Sequence, residues 1–141
     1  LSSQLRHQLD VHLRQVSDLS NVQFDILASL MRADGQHRRM TDIADDVVLS
    51  RSGLTYQVGL LEEKGLVARA PSHDDERSTN VELTDEGRQQ FLEVLPGHVD
   101  IVRSVIFDVI SVDEAQSFGR TLGRLRERLR SLPPRSTQSR T

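Results

Sequence analysis

The sequence predicts a mainly α fold with a small β-wing, and three features of the chain carry that prediction. Apolar residues recur at spacings of three and four over most of its length, the period of a helix with one buried face. Between Gly65 and Thr84 that period gives way to two short stretches, residues 66–69 and 80–83, separated by the polar, highly charged residues 71–79, which together read as strand, turn and strand. Most of the helical stretches also begin at a residue whose side chain can cap a helix. Helix, sharp turn, helix and β-ribbon is the order of a winged helix-turn-helix, here lengthened by helices at both ends. The expected organisation is a winged helix-turn-helix region over residues 20–83, dimerisation helices over 1–19 and 84–132, and a flexible tail over 133–141.

In chain order, residues 1–18 form an amphipathic helix with Leu5, Leu9, His12 or Leu13, and Val16 on one face, too short to persist unless it packs. Ser20 and Gln23 match a capping box for the next helix, whose stripe is Val22, Ile26, Leu27, Leu30 and Met31 with Phe24 at its edge; Gly35 is its stop. Residues 36–40 read as a link, in which Arg38 and Arg39 meet either phosphates or solvent. Thr41 is placed to cap a helix with Ile43, Ala44, Val47 and Val48 as its apolar positions. Ser50 is the next cap, and the helix behind it sets Leu54, Val58 and Leu61 on one face. Gly65 supplies the left-handed residue that ends it, with Lys64 in the last turn, where a cation suits the helix dipole.

Beyond the ribbon, Thr84 caps a long helix with Asp85 and Glu86 in its first turn and a stripe of Phe91, Leu95, Val99, Val102 and Ile106. Pro96 and Gly97 interrupt it. Proline's missing donor and its clash one turn back predict a kink or break near residues 92–95. Ser111 and Glu114 match another capping box. The last helix then repeats Val112, Ala115, Phe118, Leu122, Leu125, Leu129 and Leu132 at three and four until Pro133-Pro134 end it.

The chemistry concentrates on the second helix of the pair. Ser50, Arg51, Ser52, Thr55, Tyr56 and Gln57 stand at its start, off the apolar face, and Arg69 lies on the ribbon beside it. In a winged helix-turn-helix this helix enters the major groove of double-stranded DNA, where Arg can grip guanine bidentately, Gln can pair with adenine, and Ser or Thr can serve a base or a phosphate. A polar outer face on an amphipathic helix is commonplace, and the surrounding pattern has to decide.

That pattern is the run LSRSGLTYQVGLLEEKGLVAR, then DDERS, then VELTDEG, which resembles the MarR (multiple antibiotic resistance regulator) family of winged helix-turn-helix transcriptional regulators. The family's wing carries Asp-x-Arg shortly before Leu-Thr-x-x-Gly, matched here by Asp75 and Arg77 and then Leu83, Thr84 and Gly87. The resemblance implies that Arg77 inserts into the minor groove and that Asp75 braces the wing; a narrow minor groove is strongly negative and favours an inserted arginine. It also implies a homodimer on an inverted repeat, and a small aromatic or anionic effector bound between the dimerisation helices and the reading head. The polar side chains best placed to line such a cleft are His7, His12, Arg14, His98 and Arg103.

At 141 residues the chain suits one domain plus an oligomerisation element. It contains no cysteine, which excludes disulfides, thiolate metal sites and a thiol redox switch within it. No apolar run approaches membrane-spanning length and no signal-peptide pattern opens the chain, so the expected location is cytoplasmic, with no membrane partner. A net charge of −3 is unusual for a nucleic-acid binder, but His37, Arg38, Arg39, Arg51, Arg69, His73, Arg77 and Arg88 gather around the proposed reading head. His7 and His12 are five apart, on different faces of a helix, so no metal site is expected. No phosphate-binding glycine loop or nucleophile motif is present, so neither cofactor nor enzymatic activity is expected. The reading is a DNA-binding regulator, a repressor released by a ligand. The alternatives are a ligand-independent regulator and a winged-helix module that docks protein without an operator.

Overall fold

The computed structural model describes residues 2–71 and 78–132. Its elements are α1 (Ser2–Val16), α2 (Asn21–Met31), a 3-10 turn (Asp34–Gln36), β1 (His37–Arg39), α3 (Met40–Val47), α4 (Arg51–Glu63), β2 (Val67–Pro71), β3 (Thr79–Leu83), α5 (Asp85–Val102), a π turn (Arg103–Phe107) and α6 (Val112–Arg130). They fall into two compact units, Leu1–His98 and Val99–Thr141.

The first unit holds the core. Leu13 of α1, Ile26, Leu27 and Leu30 of α2, Ile43 of α3, and Leu54, Val58 and Leu61 of α4 are all buried, with Val81 of β3 and Phe91 and Val94 of α5 closing it. Capping explains where the helices begin. Ser20 and Gln23 form the expected capping box on α2, Ser50 accepts from the Gly53 amide at the head of α4, and Thr84 accepts from the Gly87 amide at the head of α5. Gly65, at φ 72°, ends α4 as its position predicted.

Four details depart from the sequence reading, the first being that α2 ends at Met31 on the cap residue Arg32, while Gly35 falls in the 3-10 turn beyond it. The link over residues 36–40 contains a strand, β1, so the wing's sheet has three antiparallel strands in the order β1-β3-β2, with Arg38 and Arg69 both opposite Val81. Helix α3 starts at Met40 behind Arg39, with no side-chain cap from Thr41, and Val48 is an exposed left-handed residue (φ 58°) that ends it rather than a core position. Pro96 does not break α5, which runs to Val102; the irregularity comes later, as the π turn.

The second unit contains α6, opened by the capping box of Ser111 and Glu114. None of its side chains is buried. Phe118, Leu122, Leu125 and Leu129 stand 51%, 46%, 55% and 67% exposed along the stripe that the sequence predicts.

Candidate nucleic-acid interface

Helix α4 is anchored by one face and offers the other. With Leu54, Val58 and Leu61 buried, a rotation of about 100° per residue carries Ser52 and Tyr56 to the far side, and Tyr56 is 65% exposed. Arg51 and Thr55 flank them towards β2. Here the start of α3, the start of α4 and the strands enclose an open cavity of about 360 Å³. Arg39, Arg51 and Arg69 line it together with Thr41, Thr55, Ser78 and Thr79. A cation-rich hollow beside an exposed polar helix matches a polyanion, whose backbone charge dominates affinity.

The predicted contact residues separate into groups. Arg51, Ser52 and Tyr56 are exposed at the head of the helix. Ser50 and Thr55 have local duties: Ser50 caps α4 and lies 3.3 Å from the Ser52 hydroxyl, and Thr55 donates back to the Arg51 carbonyl at 2.8 Å. Arg69 lies across α4, donating from Nη2 to the Thr55 carbonyl at 3.0 Å and pairing through Nε with Glu62 at 3.2 Å, while its backbone amide donates to the same carboxylate. It joins the ribbon to the helix. Gln57 faces α2, where its Oε1 accepts from Gln23 Nε2 at 3.2 Å. Asp75 and Arg77 lie outside the described residues.

Arg38, read above as meeting phosphate or solvent, is a brace. It donates to the buried Ser29 hydroxyl at 2.7 Å and to Asp46 at 2.9 Å, and Arg32 reaches the same carboxylate oxygen at 3.2 Å. Partial burial pushes the Asp46 pKa up, but the hydrogen bond from Ser29 and the charges of Arg38 and Arg32 outweigh it and hold the carboxyl below its ordinary value.

Of the residues considered for an effector, His12 and His98 come together in the first unit. The His98 ring stacks on Phe24 (centroids 4.4 Å apart), which in turn stacks on Phe91 at 5.0 Å. His12 Nε2 lies 3.4 Å from the Val94 carbonyl, over Gly97, where any Cβ would strike the imidazole. Burial, then the neighbouring His12, lowers the His98 pKa, and its buried Nδ1 has no hydrogen-bond partner. His7 is exposed on α1, and Arg14 is drawn to Asp10 at 2.6 Å. Arg103 belongs to the second unit and faces Asp108.

Sequence reasoning missed two functions. Gln23 was read only as a cap, and Gly87 only as a motif position. A Cβ at Gly87 would collide with the Leu66 carbonyl, so the glycine lets α5 rest on the end of the turn after α4. The Thr84 hydroxyl meanwhile donates to the Gly65 carbonyl at 2.7 Å. The spacing Leu-Thr-x-x-Gly therefore closes the base of the wing.

A family model described as MarR family matches residues 17–78. The regulator PecS of Dickeya dadantii is 33% identical over 79% of this chain and 67% of its own length. The transcriptional repressor YetL of Bacillus subtilis is 30% identical over 92% of this chain and 76% of its own. Among solved structures, Sco3205 of Streptomyces coelicolor, a MarR family transcriptional regulator in complex with DNA, superposes with a TM-score of 0.81 at 31% identity, covering 89% of this chain and 79% of that one. With helix, turn, helix and wing in place and the wing-base motif explained by contacts, the chain belongs to the MarR family of transcriptional regulators.

Proposed function

We propose that the protein binds an inverted-repeat operator as a homodimer and acts as a repressor released by a small ligand. The carrying observation is the head of α4, where Arg51, Ser52 and Tyr56 stand exposed beside a hollow lined by three arginines. Arg51 and Ser52 supply base readers, Tyr56 a flat amphipathic ring, and the hollow a place for the phosphate strand that passes between reading helix and wing. By family resemblance Arg77 reaches the minor groove and Asp75 supports it. The dimer reading is supported by α6, whose apolar stripe faces water in the single chain; a continuous apolar surface of this kind marks a protein interface. Two reading helices related by a two-fold would meet half-sites about 10 base pairs apart, or a multiple of that. YetL's name as a repressor supports the sign of regulation. The effector proposed is aromatic or anionic, with His12 and His98 beside Phe24 the side chains offered for it.

The test is selection of genomic fragments by the purified protein, then titration of the recovered duplex against a scrambled one at two salt concentrations, since phosphate contacts make bare affinities misleading. An inverted repeat bound far better than the scrambled duplex is the expected result. Weak, salt-sensitive binding to every duplex would favour the protein-docking alternative.

A further inference from the structure

The most buried side-chain amide of the first unit belongs to Gln23 of α2. Gln23 is 5% exposed, and its amide orientation is settled by its neighbours. Its Oε1 receives the Ser20 backbone N–H at 3.3 Å and the Lys64 ammonium at 3.4 Å. Both are donors without acceptor capacity, so the oxygen must face them and Nε2 must face away. Nε2 points at Gln57, 3.2 Å distant, which fixes the second amide in turn: Gln57 must present its oxygen inward. Lys64 closes the network, donating to the Asp18 carbonyl at 2.7 Å and pairing with its carboxylate at 3.2 Å. The hydrogen bond and charge from Lys64 hold the Asp18 carboxyl below its ordinary value.

One buried amide thus grips α4 at its middle, through Gln57, and at its end, through Lys64, and fastens both to the corner between α1 and α2. Gln57 turns its oxygen inward to Gln23, so it does not present outward the donor-plus-acceptor pair that reads adenine. It also sits about 100° around the helix from Tyr56, towards α2.

Resting on the operator-binding reading above, we propose that Gln23 is a positioning residue for DNA recognition. It sets the seat of α4 against the α1–α2 corner, and Gln57 is its handle on that helix, so that Arg51, Ser52 and Tyr56 meet the bases in register.

The experiment measures operator and scrambled-duplex affinity for wild type, Gln23→Met, Gln57→Ala, the double variant and Gln23→Glu, with thermal unfolding of each. Losing one such contact is expected to cut the ratio of operator to scrambled affinity by about fivefold to tenfold. The double variant should lose no more than the worse single one, because both remove the same bond. Gln23→Glu keeps an acceptor for Ser20, Lys64 and a reversed Gln57 amide, and should restore the ratio. Gln57→Ala should lower the penalties for single base changes evenly across each half-site, with no one position singled out.

Relaxed preference at one base pair in Gln57→Ala would make Gln57 a reader and overturn the assignment. An unchanged affinity ratio in both single variants, with only their melting temperatures lowered, would reduce Gln23 to a structural role. If wild type itself prefers no sequence, the regulator reading falls and takes this one with it. Additive effects of the two substitutions on unfolding, measured without DNA, would overturn the Gln23–Gln57 contact whatever the operator result.

Discussion

At position 87 a side chain has no room, because the Leu66 carbonyl occupies the place of its Cβ. Gly87→Ala must push α5 away from the turn after α4, and should lower stability by about 1–3 kcal/mol, the usual cost of overpacking, read from chemical denaturation. Substitution at exposed Arg88 next to it should change stability little. His98 gives a second residue-scale prediction, in pH. Its pKa in the folded chain lies below its ordinary value of 6.5, with burial the larger cause and the His12 charge the smaller. Between those two pKa values the unfolded chain binds more protons than the folded one, so stability rises with pH across that window. Read downward, stability falls as pH drops below about 6.5 and levels off under the folded-state pKa. His98→Phe, which keeps the stack on Phe24, should flatten that part of the melting-temperature profile; an unchanged slope would place the titrating group elsewhere.

At the scale of elements, the devices legible in the sequence are those whose partners lie within one turn. Ser20, Ser50 and Ser111 cap the helices they were expected to cap, and Gly65 ends α4, because each bond spans about three residues. The reading helix and the order of the wing were legible for the same reason, helped by the family pattern. Strand β1 was not: three residues carry no alternation, and they become a strand only because β3, over forty residues later, offers its free edge. The inward turn of Gln57 was invisible too, since its partner is 34 residues away. The partners that orient Arg69 (Glu62 and the Thr55 carbonyl) were likewise not legible, since they lie across the turn. Thr84 tests how far a single cap joins elements. Its hydroxyl accepts from Gly87 and donates to Gly65, so Thr84→Val should cost about 1–2 kcal/mol and raise hydrogen exchange at the ends of both α4 and α5. Exchange that rises in α5 alone would mean the bond to Gly65 contributes nothing.

For the whole molecule, the contrast between the two units decides what to expect in solution. The first closes a core, whereas α6 in the second leaves Phe118, Leu122, Leu125 and Leu129 in water. If a second copy covers that stripe, the melting temperature should rise with protein concentration. Leu122→Asp should then yield monomers by light scattering and weaken operator binding at least tenfold, because one half-site remains per molecule. A monomeric wild type at micromolar concentration would remove the dimer and the inverted repeat together. The closed base of the wing has a consequence of another kind, for how such regulators diverge. The Thr84–Gly65 hydrogen bond and the contact of Gly87 with Leu66 fasten the hairpin at its base. Substitutions elsewhere in the hairpin that keep Gly65, Thr84 and Gly87 leave that base fastened, so lineages carrying this scaffold can trade one target sequence for another while its attachment persists. Chimaeras bearing a relative's wing tip should keep the parent's slow hydrogen exchange at the Gly87 amide, bonded to Thr84, and differ from it in the DNA they select.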